Sequence, residues 1–222
     1  MIALVTMLID HFAHVFDGRL VFALVPLMRT IGRLAFPIFV YFVGEGFRRT
    51  SNVEKYLIRL GLFALISEIP YDLAVSGVWF DFSRQNIFFT LFLGLFAAYV
   101  YSEYINNYVK LFIILPLPFI AAGLLNVDYG LIGTALVFSC AIIERRSYRL
   151  IILLAGGLML YMPMRSDIAV FMLYLTGYCA ALALLALYNG KQGPRMKWLF
   201  YCFYPLHLLA LAALLVLYES HA

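Results

Sequence analysis

The sequence predicts an all-α integral membrane protein, a polytopic bundle of about nine transmembrane helices forming a single domain over 1–222. Three observations lead there. Of 222 residues, 65% are hydrophobic and only 13% are charged, about half the charge of a water-facing domain. Apolar runs separated by polar or Pro/Gly punctuation recur along the whole chain, and the length holds eight or nine spans of about 20 residues with no room for a soluble domain. Basic residues are also distributed unevenly between alternate loops. A net charge of +4 is too modest for a nucleic-acid reader, and three cysteines inside apolar runs do not make a secreted disulfide scaffold.

The predicted spans cover 1–16, 30–47, 56–75, 87–104, 109–125, 129–143, 150–162, 168–188 and 198–218. The first lacks a basic leader and is interrupted by Asp10, His11 and His14, so it reads as a retained span rather than a signal peptide. The apolar stretch 20–27 is too short to cross a bilayer and reads as an interfacial or re-entrant piece. Nine spans put eleven basic residues on one side: Arg48, Arg49, Lys55, Arg59, Lys110, Arg145, Arg146, Arg149, Lys191, Arg195 and Lys197. The other side has five, namely Arg19, Arg29, Arg33, Arg84 and Arg165. Positive loops stay in the cytoplasm, which predicts an internal N-terminus and an external C-terminus. The hydropathy does not divide into matching halves, unlike many secondary transporters.

Ionisable groups at bilayer depth are costly and persist where they pair, line a cavity or do chemistry. Asp10, His11 and His14 fall in the first span, Arg33 and Glu45 in the second, Glu68 in the third and His207 in the ninth. At about 1.5 Å per residue, Asp10 and His11 lie roughly 15 Å in, with His207 at nearly the same level and Glu68 a little further out. Arg33 belongs to the outer end of its span, and Glu45 to the cytoplasmic end beside Arg48 and Arg49. Asp10 and His14 share a helix face, whereas Asp10 and His11 point about 100° apart. Asp10 is therefore better placed to meet His14 or Arg33 than to orient His11. For Arg33 the first expected partner is Glu68, because both lie toward the outer face.

Histidine takes and returns protons near neutral pH, which makes His11 and His207 candidates for chemistry or for polar contacts between helices. Gly32 and Pro37, Pro70 and Pro205 predict kinks or openings that expose backbone groups. Gly44 and Gly46 bracket Glu45 and permit close approach by a helix or ligand. Neither a zinc-binding HExxH motif nor a phosphate loop is present in the sequence, so neither a metal nor nucleotide hydrolysis is expected.

The same segments carry a family resemblance. MLIDHFAH at 7–14, GRLAFPIFVYFVGEGFRRTSNVEKYL at 32–57, LFALISEIPYDL at 62–73, QNIFFTLFLGL at 85–95, DYGLIGTAL at 128–136 and FYPLHLLAL at 203–211 together resemble the TraX family. The resemblance implies an acetyltransferase of the bacterial inner membrane that moves an acetyl group from acetyl-CoA to the amino terminus of pilin. A more distant likeness to acyltransferase-3 type membrane enzymes rests on His11 and extends the acceptors to envelope hydroxyls and amines.

On that implication, His11 is the general base, oriented by a carboxylate such as Asp10 or Glu68. Arg33, Asn86 or Tyr204 would face the developing oxyanion, with Glu45 and His207 as further substrate contacts. Arg48, Arg49, Lys55 and Arg59 form the densest basic cluster for the polyanionic donor, whose thioester would thread inward to His11. The competing expectation is a transporter in which the same buried groups relay protons.

Overall fold

The computed structural model describes residues 1–21, 24–191, 193 and 196–221. Phe22 and Ala23 of the short 20–27 stretch, Arg195 of the basic count and Ala222 of the outer tail lie outside the described residues. Among the described residues the regular structure is helical, with one isolated parallel bridge between Gln85 and Val127.

Each predicted apolar run becomes helix. The helices are α1 (Ile2–Val15), α2 (Leu24–Gly32), α3 (Ala35–Arg49), α4 (Val53–Val75), α5 (Ile87–Tyr104) and α6 (Tyr108–Ile114). They continue with α7 (Pro116–Leu124), α8 (Gly130–Ile142), α9 (Arg146–Tyr161), α10 (Ile168–Ala186) and α11 (Lys197–His221). Two of the nine runs are broken, each at a proline. The second, expected from 30, begins earlier, since α2 takes in 24–27 of the stretch read as a separate short piece; it is interrupted at Arg33 and Leu34, where Pro37 in the first turn of α3 has no N–H to donate to the Arg33 carbonyl. The fifth divides at Leu115 because Pro116 starts α7. Pro70 and Pro205 sit inside helices that continue past them, so the openings expected there are absent as breaks.

Among the described residues, five stretches are long and apolar enough to cross a membrane: Leu24–Arg49, Ile87–Tyr104, Arg146–Met164, Ile168–Ala186 and Lys197–His221. Ile2–Val15, Tyr108–Leu124 and Gly130–Ile142 are apolar but shorter. α4 has sufficient length at 23 residues, but it carries Glu54, Lys55, Arg59, Glu68 and Asp72.

The described helices group into two compact units. The first comprises Met1–Ile38, Ile66–Asp81 and Gly157–Ala222. Here α2 packs on α1 and α10, and α1 packs on α11. Glycines set two of these approaches. A methyl group at Gly32 would overlap the Asp10 side chain, and one at Gly177 would strike the Thr30 carbonyl.

The second unit comprises Phe39–Leu65 and Phe82–Gly156, with α5 packed on α7 and α8. Gly94 lets α5 approach the Thr134 carbonyl and Val137 of α8, and Gly44 brings α3 onto the Cys140 backbone. Asn86 is fully buried at the start of α5. Its side-chain oxygen accepts from the Phe88 N–H at 3.0 Å, and its amide nitrogen donates to the Ala64 carbonyl at 2.8 Å. These are the bonds of a helix cap and an interhelical tie.

Candidate functional site

In the first unit, α1 supplies two neighbouring polar side chains that turn to different partners, as their angular separation on the helix requires. Asp10 faces α2. Its Oδ1 accepts from Arg33 Nη2 at 2.5 Å and lies 3.3 Å from Arg29 Nη1. Arg29 and Arg33 are four residues apart, so one helical face delivers both guanidinium groups to one carboxylate. Arg33 also donates through Nε to the Arg29 carbonyl at 3.2 Å and lies over the Tyr174 ring at 5.2 Å. The absent side chain at Gly32 leaves the space that Asp10 fills.

Of the two partners that the helix face of Asp10 offers, His14 and Arg33, the structure gives Arg33, rather than the Glu68 expected first for Arg33 from shared depth. Glu68 is partly buried on α4, whereas the carboxylate bound to Arg33 is that of Asp10. Shared depth did not determine the partner. The close crossing of α1 and α2 at Gly32 did.

His11 faces α11. Its Nδ1 lies 2.7 Å from Nε2 of His207, with the ring centroids 5.0 Å apart and the planes inclined by 26°. His207 Nδ1 in turn lies 2.7 Å from the Phe203 carbonyl, one turn back along α11. Tyr204 packs edge-on against both imidazoles, at 5.7 Å from His11 and 5.6 Å from His207. His207 and Tyr204 are buried, and His11 is partly exposed. A carboxylate from Asp10 or Glu68 was expected to orient His11. The group on its Nδ1 is another imidazole, because Asp10 is already held by two arginines.

A second cluster lies within the second unit around Glu45 of α3. Its Oε2 receives Arg48 Nη2 and Arg149 Nη1, each at 2.8 Å, and its Oε1 receives Arg49 Nε at 2.8 Å and Nη2 at 2.7 Å. Arg48 also donates to the Cys140 carbonyl and, at 3.0 Å, to that of Ala141, in the last turn of α8. A cation at a helix C-terminus satisfies carbonyls that have no partner within the helix. Arg149 is buried over the Tyr41 ring at 4.5 Å.

Glu45, expected as a substrate contact, is thus the hub of three arginines. Of the four residues expected at the donor, Arg48 ties α3 to α8. The Arg49 side chain is 48% exposed despite its ion pair. Lys55 is exposed in the first turn of α4, and Arg59 lies over the Tyr56 ring at 5.7 Å. Asn86, expected as an oxyanion donor, has its amide in the α5 cap.

Sequence reasoning missed Arg29, Arg149 and the Phe203 carbonyl. Arg29 was legible from its spacing of four to Arg33. Arg149 reads as one more basic loop residue, and its meeting with Glu45 across 104 positions leaves no local mark.

Among the described residues, no group of three or more His, Cys, Asp or Glu side chains is placed to hold a metal ion. Three free cysteines are present, with Cys140 buried.

No solved structure matches the chain. A curated relative, "Probable fimbrial assembly protein FimC, serogroup H1" of Dichelobacter nodosus, is 30% identical over 230 residues, covering 96% of this chain and 92% of its own. The profile described as TraX protein matches residues 1–215. That span takes in both histidines of the imidazole pair, both arginines on Asp10 and the whole Glu45 cluster, and it makes the chain a member of the TraX family.

Proposed function

We propose that this chain is an integral membrane acetyltransferase that transfers the acetyl group of acetyl-CoA to an amine, with His11 as general base. The acceptor is the amino terminus of a pilin-like protein or an envelope amine or hydroxyl. The observation that carries the reading is the 2.7 Å contact of His11 with His207, next to a carboxylate neutralised by Arg33 and Arg29. Membership of the TraX family and a relative named for fimbrial assembly support the acceptor class.

The acceptor nitrogen attacks the thioester carbonyl, and its proton passes to His11. The tetrahedral oxyanion is met by a donor, for which the Tyr204 hydroxyl or the Arg33 guanidinium are the groups of the right chemistry. Collapse breaks the C–S bond, and the departing thiolate takes the proton from His11. The nucleotide end of the donor is polyanionic. Arg49 and Lys55, the more exposed cations of the basic cluster, suit its diphosphate, and Arg48 and Arg59 complete the cluster.

Purified protein in nanodiscs, given acetyl-CoA and a synthetic peptide with a pilin-like N-terminus or an envelope glycan, is expected to release free CoA. An acetyl group should appear on the acceptor by mass spectrometry. Hydrolysis of acetyl-CoA without acceptor modification, or no turnover with any amine or hydroxyl acceptor, would overturn the reading.

The proposed location is the bacterial inner membrane, crossed nine times with the N-terminus inside. The motivation is the excess of basic residues on alternate loops. Reporter fusions should place Met1 and the Arg48 to Lys55 segment in the cytoplasm and Tyr218 outside. Both termini on one side would exclude an odd number of spans.

A further inference from the structure

The contacts around His11 determine which of its ring nitrogens carries a proton. A carbonyl oxygen has only lone pairs, so the 2.7 Å contact between the Phe203 carbonyl and His207 Nδ1 places a hydrogen on that nitrogen. In the neutral ring, His207 Nε2 then has a lone pair. Its 2.7 Å neighbour, His11 Nδ1, must therefore donate. A neutral His11 with a proton on Nδ1 leaves Nε2 unprotonated. The opposite arrangement would set two lone pairs against each other at one of the two contacts.

We propose that His207 is a positioning residue which, anchored by the Phe203 carbonyl, holds His11 in the Nδ1–H tautomer and makes Nε2 the proton-accepting atom. The catalytic consequence rests on the assignment of His11 as base; the tautomer does not. The wiring has the form of an acid–histidine pair with an imidazole in the place of the carboxylate. When Nε2 takes the acceptor proton, the imidazolium keeps its Nδ1–H bond to His207, and the proton later leaves from Nε2 to the thiolate. Phe203 stacks on the His207 ring at 4.9 Å, and with Tyr204 at the edge of both rings the pair has little freedom to turn.

Nitrogen-15 NMR of the histidine-labelled protein in nanodiscs tests the wiring directly. Both rings are expected to report the Nδ1–H tautomer in the native chain. In His207→Phe the His11 ring should revert to the Nε2–H form that free imidazoles prefer. Turnover should then fall about 100-fold, with KM for acetyl-CoA changed less than about threefold. In His207→Gln the side-chain oxygen can accept from His11 Nδ1–H, so the tautomer and at least about a tenth of kcat should return. An Nε2–H tautomer on His11 in the native chain would overturn the proposal, as would equal losses in the Phe and Gln variants. If the native protein transfers no acetyl group, the reaction assignment fails while the tautomer measurement still decides the wiring.

Discussion

His11→Ala is expected to lower acetyl transfer by about 10²–10⁴-fold, the range over which a positioned general base contributes. Binding of acetyl-CoA should change by less than about threefold. The reason for this split lies in where the proton moves. A base acts on the acceptor as the thioester is attacked, so its removal raises the transition state without withdrawing a contact from the nucleotide end of the donor. Single-turnover kinetics with a saturating acceptor, together with calorimetric titration of acetyl-CoA, separate the two effects. Near-normal turnover on the true acceptor would remove His11 from the role. A parallel loss of donor affinity would make it a binding residue instead.

The fold was largely legible because apolar runs report helices whatever their neighbours. The fourth span, predicted at 87–104, is α5 with the same ends, because Asn86 caps its start. Two of the details that the reading lost lie at prolines. Pro116 splits one run into α6 and α7, and Pro37 separates α3 from α2. Periodicity cannot show such breaks when both halves are equally apolar.

The site was legible to a different degree. Depth along a helix follows from residue count, so Asp10, His11, Arg33, Glu68 and His207 were expected in one layer, and the structure brings Asp10 to Arg33 and His11 to His207. Depth says nothing of azimuth. Depth matched Arg33 first with Glu68 and His11 with a carboxylate, whereas the helix face of Asp10 already offered Arg33, and packing gives Arg33 to Asp10 and His207 to His11. The three small residues that decide such matters, Gly32, Gly44 and Gly177, work by what they lack. Only the partner helix reveals which side chain or carbonyl fills the space.

Breaking the Asp10 ion pair is expected to produce a large loss of stability, and the loss should be asymmetric. Asp10 serves two arginines, at 2.5 Å and 3.3 Å, and its side chain is 16% exposed. Asp10→Leu leaves both guanidinium groups without their carboxylate, so it should cost about 3–5 kcal/mol, as for other buried pairs deprived of one member. Arg33→Leu leaves Asp10 with Arg29 and should cost less, about 1–3 kcal/mol. The double variant Asp10→Leu with Arg33→Leu should be more stable than the sum of the singles predicts, by a coupling of about 1–3 kcal/mol. Unfolding in detergent, followed for the three variants, measures this cycle. The same cycle with Glu68→Leu in place of Asp10→Leu should be additive within about 0.5 kcal/mol. If the Glu68 cycle gives the larger coupling, Arg33 belongs to Glu68, and the division of α1 into a charged face toward α2 and an imidazole face toward α11 is wrong.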